Sequence, residues 1–381
     1  MRPLVQPQHA VPARRPAALD HYVTLGRSGL RVSPLCMGAM TFGTAWGIGV
    51  EQEASFKLLD RYLDAGGNFI DTANIYNHGA SEAIMGEYFA KRGKSGDRGR
   101  DRTVIATKWL GNMYPGDPNG GGAHRKSLIE CVHESLRRLK TDYIDLLWAH
   151  FWDNLTPVEE TMRSLDDLVR AGKVRYVGFS DTPAWKCAQA QTIALFRGWE
   201  PLCALQIEYS LLERTVEGEL IPMAMEMGMG VTPWSPLKGG ILTGKYTRDN
   251  HPEEGEGRYK QDSRYLTDKT YDIVDALKEI AGDHGKSPAQ IALAWVTSRR
   301  GVASTIIGAR KMDQLESNLD AISIELTDEQ IARLDELSEP KLNFPADFLS
   351  NIHVGIQNDT TVNGREAEAW GGSPKNDDER F

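Results

Sequence analysis

Three ionisable side chains stand where short apolar runs stop. Asp71 ends Asn-Phe-Ile-Asp, Lys108 ends Val-Ile-Ala-Thr-Lys, and His150 ends Leu-Leu-Trp-Ala-His; Tyr76 follows Asp71 in the loop. A phenol, an ammonium, a carboxylate and an imidazole suit delivery of a proton to an oxygen that is becoming negative. Reduction of a carbonyl by hydride creates such an oxygen, and its transition state needs a donor there. A free phenol, with a pKa of about 10, is a reluctant acid at neutral pH. A nearby ammonium favours the phenolate, so Lys108 is expected to bring the Tyr76 pKa down. Asp71 would keep the lysine charged, and His150 would bind the substrate oxygen or relay a proton. The set works without a metal. Each residue alone also has a mundane role: Asp71 as a helix cap, Tyr76 as a packed ring, Lys108 as a solvated charge, His150 as a rim histidine. Only a fold that gathers them makes chemistry of them.

The rest of the chain supplies that fold. Eight short apolar runs, at 35–40, 68–73, 103–109, 143–150, 174–180, 202–209, 230–237 and 303–308, alternate with segments of helical spacing. The helix at 51–65 carries Phe56, Leu59, Tyr62 and Leu63 on one side and stops at Gly66-Gly67. The helix at 124–140 has Leu128, Val132, Leu136 and Leu139, with Arg137, Arg138 and Lys140 at its negative end. Thr156-Pro157-Val158-Glu159 reads as a hydroxyl cap, a first-position proline and a first-turn acid. Strand–helix alternation repeated eight times predicts parallel strands and a (β/α)8 TIM barrel of the α/β class. A doubly wound sheet would want a G-x-G-x-x-G turn, which the sequence lacks. In a barrel, active sites gather at the C-terminal ends of the strands, where these four residues fall. Ahead of the barrel, the two short strands around Gly26-Arg27-Ser28-Gly29 read as a hairpin. Residues 1–20 read as a flexible arm, 21–340 as the barrel and 341–381 as a tail whose last residues look disordered. The polar stretch 238–270 is a long loop after the seventh strand.

Composition narrows the function. The chain has 381 residues, 40% apolar and 25% charged, with a net charge of −9. That charge argues against nucleic acid as a partner. No run approaches the length of a membrane span, and the N-terminus lacks the apolar core of a secretory signal. Cys36, Cys131, Cys187 and Cys203 form no paired spacing and lie in apolar segments, which fits buried thiols in a reducing, cytoplasmic setting. The nine histidines show no H-x-H or H-E-x-x-H spacing, so no catalytic metal is expected.

Eight strings in order resemble the aldo-keto reductases, in particular the branch of aryl-alcohol dehydrogenases and channel β subunits. They are FIDTANIY, VIATK, DLLWAH, GFSD, QIEYS, TPWSPL, LTGKY and IIGARKMDQLESN, and the likeness spans 22–337. It implies that the hairpin plugs the barrel, that Tyr76 is the acid/base of a tetrad with Asp71, Lys108 and His150, and that a carbonyl is reduced reversibly with NADPH. It implies a cofactor site as well. Met40, Ser180, Asp181 and Gln206 would surround the nicotinamide, and Trp234 would stack on its face. Ser235, Leu237, Gly239 and Lys245 would hold the pyrophosphate. Gly308, Ala309 and Arg310 precede a helix whose N-terminus attracts anions, so Arg310 would pair with a 2′-phosphate while Gln314 and Asn318 face the adenine. Asp181 departs from the asparagine common in the family and would have to accept from the carboxamide NH2.

Trp46, Trp109, Phe151 and Trp152 lie near strand ends and are expected to rim the pocket, which would then favour flat apolar or aromatic carbonyl compounds. The resemblance leaves a second reading open: an NADPH-binding regulatory or redox-sensing subunit with little turnover. It leaves oligomeric assembly open too. A metal- or phosphate-dependent barrel lyase would need a cluster of carboxylates and histidines at other strand ends, and the sequence offers no such cluster.

Overall fold

A computed structural model describes residues 16–93, 99–249, 263–350, 352–362 and 364–380. Two short antiparallel strands, β1 (Val23–Thr24) and β2 (Arg31–Val32), form the hairpin. Eight parallel strands follow: β3 (Leu35–Gly38), β4 (Phe69–Asp71), β5 (Val104–Trp109), β6 (Ile144–Ala149), β7 (Val174–Ser180), β8 (Leu202–Glu208), β9 (Gly230–Trp234) and β10 (Thr305–Ile307). Their spatial order is β10-β3-β4-β5-β6-β7-β8-β9. The ring closes just before β10, where the Val231 amide donates to Gly301 O at 2.9 Å and Val231 O accepts from the Ala303 amide at 2.8 Å. The eight runs expected from sequence each contain one barrel strand.

Among the described residues, eight helices connect the strands, α1 (Gln52–Asp64), α2 (Ala80–Arg92), α3 (Arg125–Leu139), α4 (Val158–Arg170), α5 (Ala184–Arg197), α6 (Leu220–Met227), α7 (Asp268–His284) and α8 (Pro288–Thr297), and α9 (Met312–Asp320) and α10 (Asp328–Leu337) follow β10. Gly66, at φ +93, turns the chain after α1, as expected. Thr156 does not cap α4. The N-cap is Pro157, and the Thr156 hydroxyl donates instead to Asp153 Oδ2 at 2.6 Å. A local acceptor three residues back outcompetes the helix end.

Strand alternation divides the core in two. Phe69, Val104, Ala106, Leu146, Trp148 and Ala204 fill the inside of the barrel together with Leu25 and Val32 of the hairpin. Ile70, Ile105, Leu147, Val177 and Leu205 face the helices. The hairpin enters the barrel closely enough to demand glycine at its tip. Gly26 has φ +60, and a Cβ there would lie 2.4 Å from Cys203 O. The same parity sets the chemistry. Asp71 follows inward Phe69 by two, Lys108 follows inward Ala106 by two, and His150 follows inward Trp148 by two. Register staggers them by two residues from strand to strand, because Asp71 pairs with Ala106 and Lys108 with Trp148.

The ends of the chain differ from expectation. Leu19 is buried against the main core, so the fold begins before residue 21, and residues 1–15 of the expected arm lie outside the described residues. Residues 250–262 of the long loop are likewise outside them. In the tail, two short helices (Ala346–Ser350 and His353–Gln357) precede a small hairpin. The terminal residues expected to lack structure carry turns, anchored where Asn358 Oδ1 accepts from the Trp370 amide at 3.0 Å and the Ser373 hydroxyl at 2.7 Å.

Candidate active site

Lys108 is fully buried inside the barrel, and all three of its protons are committed. Nζ donates to Asp71 Oδ1, to Thr72 O at 2.9 Å and to the Tyr76 hydroxyl at 3.2 Å. Asp71 Oδ2 accepts from Gln206 Nε2 at 3.0 Å, so both carboxylate oxygens are occupied as well. The consequence for Tyr76 is specific. Its oxygen accepts from the lysine, which leaves its own proton free to be given elsewhere.

His150 stands across the cleft, its ring edge-on to Tyr76 with centroids 5.6 Å apart. Burial and the Lys108 charge lower its pKa to about 3, so it is a neutral imidazole with one N–H to offer. Its Nδ1 is buried and has no hydrogen-bond partner among the described residues. A buried polar atom without a partner is uncommon and marks a place where a ligand or water is expected.

Electrostatics correct one expectation. Lys108 does pull the Tyr76 phenol down, but burial pushes it up more strongly, and the Asp71 charge adds to that, so the pKa lies above its ordinary value. Desolvation of a phenolate at the barrel mouth outweighs one ammonium that a carboxylate has already largely neutralised. Lys108 itself is pressed down by burial and carried above its ordinary value by Asp71 and Tyr76, so it stays charged.

The residues expected to surround a nicotinamide gather at the same mouth. Ser180 and Gln206 are buried at the ends of β7 and β8. Gln206 spends an N–H on Asp71. Asp181 keeps one edge toward solvent, with φ +41, and its carboxyl is raised to about 6 chiefly by desolvation. Its Oδ1 accepts from the Trp234 indole at 3.0 Å, so this carboxylate orients the aromatic expected to stack on the nicotinamide. The Met40 carbonyl is taken by Asn77 Nδ2 at 2.9 Å.

Beyond β9 the chain turns through a 3-10 segment, Lys238–Thr243, with Ser235, Lys238, Gly239 and Gly240 all at positive φ. A Cβ on Gly240 would lie 3.2 Å from Lys245 Cε, so Lys245 folds across the glycines. Leu237 packs against the core and anchors this turn. Ahead of α9, Arg310 is exposed. Gln314 and Asn318 bond to the turn ahead of the helix: Gln314 Oε1 accepts from the Arg310 amide at 2.9 Å, and Asn318 Nδ2 donates to Gly308 O at 3.1 Å. Both shape the 308–310 turn. A glycine turn with a lysine laid over it, and an exposed arginine before a helix, fit a dinucleotide with two separate anionic groups, a pyrophosphate and a further phosphate.

Of the four aromatic rim residues, two reach the cleft. Trp46 is edge-on to Tyr76 at 5.9 Å, and Phe151 lies 5.6 Å from His150. Trp109 does not. It alternates with inward Lys108 and is buried in the sheet–helix core. Trp152 packs on Phe179, which also faces the helices, at 6.1 Å. Sequence reading missed three groups: the Thr72 carbonyl, Asn77, and the half-buried pair of Lys238 with Glu208 Oε1 at 2.6 Å. Long-range contacts of this kind leave no local signal. Among the described residues no cluster of His, Cys, Asp or Glu is placed to hold a metal ion.

Comparison with known proteins agrees with this geometry. The model of the aldo/keto reductase family matches residues 34–339. A norsolorinic acid reductase of Emericella nidulans is 39% identical over 89% of this chain and 87% of its own. The aryl-alcohol dehydrogenase [NADP(+)] of Phanerodontia chrysosporium is 38% identical over 83% of this chain and 85% of its own. An aryl-alcohol dehydrogenase of Pestalotiopsis microspora is 36% identical over 86% and 85%.

Proposed function

This chain belongs to the aldo/keto reductase family, and from that premise we propose that it reduces aromatic aldehydes or ketones to alcohols with NADPH. It is an oxidoreductase of the alcohol dehydrogenase type, and its family uses a nicotinamide cofactor. The observation that carries the reading is the ammonium of Lys108, whose three protons go to Asp71, Thr72 O and Tyr76, leaving the phenol proton to the cleft.

Ser180, Gln206 and Trp234 would hold the nicotinamide, which when bound would supply a hydride to the carbonyl carbon. Tyr76 gives its proton to the carbonyl oxygen as negative charge develops there, and Lys108 stabilises the phenolate left behind. Asp71 keeps Lys108 charged and aimed, and Gln206 fixes Asp71. The neutral His150 offers its N–H to the same oxygen and orients the carbonyl. Return of a proton from solvent resets Tyr76, and in the reverse direction the phenolate accepts the alcohol proton. Trp46 and Phe151 favour a flat ring beside the reacting carbon, in keeping with the aryl-alcohol names of the relatives. Four buried free thiols support a reducing, cytoplasmic setting.

The preference for NADPH rests on Arg310. Steady-state oxidation of NADPH and of NADH against a panel of aryl aldehydes tests the reading, run with the wild type and Arg310→Ala. Turnover with NADPH is expected, and the variant should weaken NADPH by about tenfold while leaving NADH nearly unchanged. Tight NADPH binding without turnover of any carbonyl would favour a sensor instead. Equal losses for both cofactors would remove Arg310 from the 2′-phosphate.

A further inference from the structure

Immediately after Tyr76 the chain runs through three consecutive left-handed residues, Asn77 (φ +49), His78 (φ +57) and Gly79 (φ +87). Such conformations are unfavourable for residues with a side chain, asparagine being among the most tolerant. The turn drives the Asn77 side chain into the protein, where it is buried. There it uses both ends. Nδ2 donates to Met40 O at 2.9 Å and to Phe42 O at 3.2 Å, and Oδ1 accepts from the Trp46 amide at 3.0 Å. These three partners all belong to the loop between β3 and α1, more than thirty residues earlier in the chain. Trp46 stands edge-on both to Tyr76, at 5.9 Å, and to His78, at 6.4 Å.

We propose that Asn77 is a positioning residue that fixes the Trp46 ring relative to the Tyr76 hydroxyl and thereby sets the preference for aromatic carbonyls. This rests on the reductase reading above. Asn77 touches no reacting atom. It ties the loop that carries one wall of the pocket to the turn that carries the acid, so the wall and the acid move as one body. A ring-bearing substrate depends on that wall; a small aliphatic aldehyde does not.

The test compares Asn77→Gly, which keeps the left-handed backbone and removes the clamp, in the wild-type and Trp46→Ala backgrounds. Benzaldehyde and propanal are the substrates. Asn77→Gly is expected to raise KM for benzaldehyde about fivefold, with a distinctly smaller change for propanal and a smaller change in kcat than in KM. In the Trp46→Ala background the same substitution should no longer discriminate between the two aldehydes. Should Asn77→Gly fail to bind NADPH or to melt cooperatively, Asn77→Asp carries the test. It keeps the acceptor for the Trp46 amide but sets an oxygen against two carbonyls, and the same selective loss is expected. Equal losses on both aldehydes, or discrimination that persists without Trp46, would overturn the proposal while the reductase reading stands. Absence of turnover by the wild type with every carbonyl would instead remove that reading.

Discussion

Tyr76→Phe lowers kcat for carbonyl reduction by about a thousandfold, while the Kd for NADPH stays within about twofold. The first number follows from removing a positioned general acid, which contributes on the order of a hundred- to ten-thousandfold. The second follows from geometry: the phenol oxygen has one protein partner in the tetrad, Lys108, and the lysine retains Asp71 and Thr72 O when that oxygen is gone. Stopped-flow reduction of an aryl aldehyde, with cofactor binding measured separately by fluorescence, checks both. Residual turnover above about a tenth of wild type would take the acid role from Tyr76.

Lys108→Met has nearly as large an effect on rate and a larger one on stability. Without the ammonium, the phenolate forms unaided in a buried site, and a loss of about a hundred- to a thousandfold in kcat is expected. Removing one member of a buried ion pair also leaves Asp71 charged with Gln206 as its remaining partner, which costs about 3–5 kcal/mol. The two effects separate in the double variant Asp71→Asn/Lys108→Met, which no longer buries a lone charge. Its melting temperature should recover most of the loss, and its kcat should not. Recovery of both would mean that Lys108 serves the fold rather than the phenol.

Asp71, Lys108 and His150 were legible from sequence because each ends an apolar run in the phase that points inward. That parity does double service, packing Phe69, Ala106 and Trp148 below the three polar residues. The eight runs and their order were legible for the same reason. Trp109 was misplaced although parity alone would have turned it outward, since it directly follows Lys108. Trp152 and Asn77 depend on contacts with distant segments, Phe179 in one case and the loop after β3 in the other, and no local pattern encodes them. The direction of the Tyr76 pKa was also beyond sequence. The charges could be counted, but the desolvation that outweighs them depends on how the folded chain crowds the phenol at the barrel mouth. Asp181 illustrates a related gap: its identity suggested a contact with cofactor, whereas the folded chain also gives it the Trp234 indole to hold.

The identity of the proton donor is tested most directly by the pH dependence of kcat for reduction of an aryl aldehyde at saturating cofactor. His150 titrates at about 3, and Tyr76 lies above the ordinary phenol value of about 10. With Tyr76 as donor, kcat stays level across the neutral range and declines only above the usual phenol range, as the proton to be given is lost. A decline with its midpoint at about 6.5, the ordinary imidazole value, that vanishes in His150→Gln would contradict the account and pass the donor role to the histidine.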